Sequence, residues 1–103
     1  MIVIKGTDAR AKIREAGKRL ANLFCALSQE VRPGLSTALL DKWIEQELDR
    51  LALISQTKGY RGYRHVSCIS VNDELVHGVP STKILLKDGD LVKIDICAAW
   101  SGY

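Results

Sequence analysis

From Thr7 to Leu51 the apolar residues recur twice at helical spacing, and the two runs are separated by Val-Arg-Pro-Gly-Leu-Ser. In the first run Ile13, Ala16, Leu20, Leu23, Phe24 and Leu27 fall on one helical face, with Lys12, Arg14, Lys18 and Arg19 largely off it. Thr7 and Asp8 are placed to cap this helix, and Pro33-Gly34 breaks it. In the second run Ser36 is the capping candidate. Behind it Leu39, Leu40, Trp43, Ile44, Leu48 and Leu51 repeat with the same period, and Glu45, Glu47 and Asp49 sit among the surface positions. The spacing predicts helices over about 7–29 and 36–52. Each has an apolar face ready to cover another layer.

After about Ser55 the texture changes. Strands are expected from about residue 56 onward. Val-Ser-Cys-Ile-Ser-Val reads as one of them, Asn72-Asp73 as a turn, and Asp88-Gly89 as the tip of another turn. In the closing run Val92, Ile94 and Ile96 alternate with Lys93, Asp95 and Cys97. Two helices followed by strands make an α+β pattern, two amphipathic helices packed on an antiparallel sheet. At 103 residues the chain is one domain or part of one.

Hydrophobic residues make up 47% and charged residues 26%, which excludes a disordered chain. Fifteen basic residues against 12 acidic ones permit an anionic partner without demanding one. Cys25, Cys68 and Cys97 are odd in number and form no Cys-x-x-Cys pair, which argues against a disulfide framework or a structural zinc site. We read them as reduced thiols of a cytoplasmic protein. No apolar run approaches the roughly 20 residues that span a bilayer, so no membrane role is expected.

Three features carry chemistry. Asp95 is unusual in an apolar strand; in a central strand its carboxylate would be partly buried and would need a partner or a metal, whereas on an edge it would be solvated. His77, in Leu-Val-His-Gly-Val-Pro, has a fixed exit direction, because Pro80 keeps Val79 extended and Gly78 frees the backbone. It serves a substrate or a metal, or it is a turn histidine. Lys58-Gly-Tyr-Arg-Gly-Tyr-Arg-His65 interleaves Tyr60 and Tyr63 with positive charge. That reads as a stacking surface for single-stranded nucleic acid, as the wall of an apolar pocket, or as an ordinary basic loop.

Taken together, KGYRGYRHVSCISVNDELVHGVP and then LKDGDLVKIDICAAWSGY resemble the type I methionine aminopeptidases. That family carries GYxGYP, S-x-C-x-S-x-N, HG-[IV]-P and LKxGDxVxID in this order, and the resemblance covers essentially the whole chain. It implies the N-terminal half of a pita-bread fold, and a hydrolase that removes the initiator methionine from nascent chains in the cytoplasm. It implies two divalent metal ions (Co, Mn, Fe or Zn) sharing a bridging water that attacks the scissile carbonyl. By the same resemblance Asp95 matches the first metal-ligating aspartate, and His77 the histidine that hydrogen-bonds the substrate. Tyr60, Tyr63 and Cys68 match walls of the methionine side-chain pocket, and Thr57 a small residue lining it.

Arg64 stands where the family has proline. The family's second metal-ligating aspartate would fall at position 106, beyond Tyr103. The expectation is therefore an incomplete domain, inactive alone, holding metal weakly and self-associating through an exposed sheet. Its substrates would be N-terminal methionyl peptides or nascent chains, with the ribosome as a further partner. The alternatives are a non-catalytic relative that binds nucleic acid or the ribosome, and a regulatory half that pairs with another subunit.

Overall fold

A computed structural model describes all 103 residues, Met1–Tyr103. Helix α1 spans Thr7–Glu30 and α2 spans Thr37–Arg50. The α2 start follows its sequence signal: the Ser36 side chain accepts the Leu39 N–H at 3.2 Å. The α1 start does not. Its N-cap is Gly6, with no side-chain cap, and Thr7 and Asp8 lie inside the first turn. There Asp8 pairs with Lys12 at 2.9 Å and meets the positive end of the helix dipole.

The core forms where the two helices meet the strands. Leu23 and Leu27 of α1, Leu40, Ile44 and Leu48 of α2, and Leu53, Val66, Ile69 and Leu86 bury one another. The covered stripe is narrower than the periodicity implies. Ile13, Phe24 and Leu39, although they follow the helical period, stay exposed. Arg19 also departs from its surface assignment. It is half-buried, its guanidinium donates to the Leu51 carbonyl at 2.7 Å, and it lies 4.7 Å from the Trp100 ring. It thus ties α1 to the C-terminal end of α2, where unpaired carbonyls attract a cation.

The strands form two antiparallel ribbons. Strand β1, Ile54–Ser55, pairs with β4, Ala98–Ala99. Strand β2, Ser67–Val71, pairs with β3, Val92–Ile96. The expected continuous run through Cys97 is interrupted there: the Cys97 carbonyl accepts the Gln56 N–H at 2.8 Å, and the chain changes partner from β2 to β1. At the far end of the longer ribbon, Asn72 donates to Asp90 at 2.9 Å and accepts the Leu91 N–H at 3.0 Å. The Asn72 amide and the Lys87 N–H hold the Asp90 carboxyl below its ordinary range. This latch explains the two turn signals in the sequence.

Residues 39 and 40 of α2 test the extent of the core. Leu40→Ala should cost about 2–5 kcal/mol, while Leu39→Ala should stay within about 0.5 kcal/mol. Urea titration of both variants at unchanged slope checks this; equal losses would mean that the helix face is assigned wrongly.

Candidate functional site

The β2–β3 register decides which side chains face out. Ile69 lies opposite Ile94, and Val71 opposite Val92, packed toward the helices. Alternation then sends Cys68 and its partner Asp95 to the other face. Asp95 is exposed there, so the partly buried setting considered from sequence is not the one found.

Along the edge of β2 that β3 leaves free lies the segment bearing His77. Gly78 is pressed against β2: the Ile69 N–H donates to the Gly78 carbonyl at 2.8 Å, and the Gly78 N–H donates to Ser70 Oγ at 2.9 Å. A Cβ on Gly78 would stand 2.7 Å from the Ile69 carbonyl carbon and 2.8 Å from Ser70 Cα. Those are backbone atoms that cannot yield, so the glycine is required by close approach. The left-handed backbone is at His77 itself, φ +59°. Close approach, and not a positive dihedral, is what calls for glycine at position 78. It also fixes where His77 leaves the chain.

The other side of the site is a 3₁₀ turn, Tyr60–Gly62, followed by Tyr63. Thr57, Tyr60, Tyr63 and Cys68, which the resemblance implies for the pocket, and His77, which it implies for the substrate, line one open cavity of about 480 Å3 together with Arg61 and Gly62. The Tyr63 hydroxyl donates to the Ser67 carbonyl at 2.9 Å and lies 3.6 Å from Cys68 Sγ. Burial, and next the Cys68 thiol, push the Tyr63 hydroxyl well above its ordinary pKa, so it stays protonated. With its hydroxyl engaged, Tyr63 offers the cavity mainly its ring.

Beneath this wall is a carboxylate that the sequence reading did not single out. Asp41 of α2 is buried. Its Oδ1 accepts the Ser67 N–H at 2.9 Å and the Ser67 hydroxyl at 2.6 Å, and its Oδ2 lies 3.1 Å from His65 Nδ1. The His65 ring in turn packs edge-on to Tyr63, centroids 5.6 Å apart. A signal was available, because Thr37, Asp41, Ile44 and Leu48 share one helical stripe and all four are buried.

The basic character expected of this loop is partly cancelled. Lys58 pairs with Glu45, and Arg61 lies over the Tyr60 ring at 5.3 Å. No three His, Cys, Asp or Glu side chains converge anywhere in these 103 residues. Asp95 stands as a single exposed carboxylate, so these residues alone do not make up a divalent-metal site.

Removing the Asp41 carboxylate strands two Ser67 donors in a buried place. Asp41→Ala should therefore cost about 1–3 kcal/mol and shift the His65 imidazole resonances. Ser67→Ala, which removes only one of the bonds, should cost less. A loss for Asp41→Ala within about 0.5 kcal/mol, the range of an ordinary surface change, would show that this carboxylate anchors nothing.

Comparison with known proteins accords with this geometry. Residues 11–103 match the model of metallopeptidase family M24. Over all 103 residues the chain is 42% identical to methionine aminopeptidase 1 of Bacillus subtilis, of which it covers 41%. It is 36% identical to the methionine aminopeptidase of Escherichia coli, over 99% of this chain and 39% of that protein. The crystal structure of the Thermotoga maritima methionine aminopeptidase superposes with a TM-score of 0.91 at 32% identity, over 98% of this chain and 41% of that one. The chain thus spans about two fifths of the length of the relatives it matches, and its architecture is that of the N-terminal part of their pita-bread fold. The chain belongs to metallopeptidase family M24.

Proposed function

We propose that this chain supplies the methionine side-chain pocket and one metal-ligating carboxylate of a metal-dependent aminopeptidase that releases N-terminal methionine from peptides and nascent chains in the cytoplasm. The observation that supports this most is the gathering of Thr57, Tyr60, Tyr63, Cys68 and His77 around one cavity, with Cys68 directly opposite Asp95 in the ribbon. A flexible thioether side chain suits a cavity walled by two tyrosine rings and a thiol, since sulfur makes favourable contacts with aromatic edges.

In this reading the Tyr60 and Tyr63 rings and Cys68 hold the first side chain. His77, fixed by the docked Gly78, donates a hydrogen bond to the carbonyl of the first peptide bond. Asp95 contributes one carboxylate. Because no three potential ligands converge in these residues, the remainder of a ligand set would come from outside them. The 103 residues by themselves would hold a divalent ion weakly, since affinity comes from several preorganised ligands.

The competing nucleic-acid role for the Lys58–Arg64 run has less in its favour. Lys58 is neutralised by Glu45, and Tyr63 is turned inward by its bond to the Ser67 carbonyl.

The two assigned roles separate experimentally in the complete enzyme. Asp95→Ala should lose metal as well as rate. His77→Ala should keep its metal while kcat on a methionyl-alanyl peptide falls by about 10²–10³-fold. Metal analysis after gel filtration, beside steady-state kinetics, decides. If His77→Ala loses the metal and Asp95→Ala keeps it, the assignment is reversed.

A further inference from the structure

The cavity carries one group that the pocket reading leaves idle. Arg61 lines it, and no carboxylate does. Arg61 is exposed and makes no ion pair, in contrast to nearby Lys58. Its guanidinium rests 5.3 Å from the centroid of Tyr60, itself a wall of the cavity. Stacking on a ring leaves the guanidinium edge free to donate hydrogen bonds. Its backbone is left-handed, φ +49°, between Gly59 at φ +87° and Gly62 at φ +80°. That conformation suits glycine and disfavours a residue with a Cβ. Unfavourable backbone of this kind gathers at ligand-binding sites, where the side chain's position matters.

A peptide whose first side chain fills this cavity must leave through its open side, past the rim. The Arg61 guanidinium, exposed and unpaired among the lining residues, attracts a carboxylate and repels an ammonium group. We propose that Arg61 is a specificity-determining residue, selecting peptides that carry an aspartate or glutamate among the residues just after the first. The inference rests on the reading of the cavity as the pocket for the first side chain.

The test uses the complete, metal-loaded enzyme and C-terminally amidated methionyl-alanyl peptides, with Glu, Gln or Lys placed in turn at positions three and four. The readout is the ratio of kcat/KM between Glu and Lys peptides, which cancels any general effect of a substitution on folding or turnover. The wild-type ratio should be about three- to tenfold at low salt, an exposed attraction in one case and a repulsion in the other, and should shrink at high salt. Arg61→Asn, chosen because asparagine tolerates the left-handed backbone, should bring the ratio close to one. Arg61→Lys should keep a preference for Glu, and Arg61→Glu should invert it.

A wild-type ratio near one, or a ratio retained in Arg61→Asn, overturns the proposal while leaving the pocket reading intact. Failure to release methionine from any of the peptides removes both. A ratio near one together with salt-sensitive binding of a single-stranded oligonucleotide, lost in Arg61→Asn, overturns the proposal and assigns Arg61 to nucleic acid instead.

Discussion

The cavity hangs on a buried carboxylate. Asp41 belongs to the helical layer, but the groups it binds belong to the strand layer: the Ser67 N–H and hydroxyl through one oxygen and His65 through the other. An acceptor buried this deeply is tolerable only when its lone pairs are filled, and here they are filled by Ser67, which opens β2, and by His65 just before it. Ser67 then passes the constraint on, since its carbonyl takes the Tyr63 hydroxyl and the next residue is Cys68. Two walls of the cavity are thus located by α2, at a distance from any substrate. The stiffness of the site comes from hydrogen bonds below its surface, and the Tyr60 and Tyr63 rings are left to face the cavity.

A second constraint fixes the opposite side. Gly78 bonds to β2 through both its N–H and its carbonyl, and it approaches so closely that no side chain fits. The bonds stretch from Ile69 to Ser70, beside Cys68 in sequence, so His77 is carried to the cavity by backbone pairing. Its own packing plays little part, because His77 is exposed and its neighbours Leu75, Val76 and Val79 are exposed as well. The segment is held at Gly78 and at the buried Pro80.

These two anchors explain what could be read from the residues and what could not. The helices are legible because an apolar period survives in the sequence whatever lies opposite. How much of a helical face is covered depends on the partner, which is why Phe24, Ile13 and Leu39 look like core residues and are not. Asp41 is hidden for a related reason. Among Lys42, Glu45, Glu47 and Asp49 it passes for one more solvated charge, and only its place on the Thr37–Ile44–Leu48 stripe betrays it. The pocket residues were found through their resemblance to a family, because Tyr60, Cys68 and His77 are far apart in sequence and no local pattern joins them. The break at Cys97 leaves no composition signal, since it follows from a change of pairing partner.

What places the chemistry on the open face is the hydrophobic effect acting on the closed one. Ile69, Ile94, Ile96, Val71 and Val92 all pack toward the core, and burying them fixes the ribbon's register. Since side chains alternate with period two, a slip of one residue in β3 would turn Asp95 into that core and expose Ile94 and Ile96. An unpaired carboxylate pressed into an apolar core is costly, so both faces oppose the slip. Asp95 therefore stands opposite Cys68, beside the cavity, without any interaction of its own to hold it there. The same logic explains how a strand carboxylate can be solvent-exposed and still rigidly placed: its position is set by its apolar neighbours on either side.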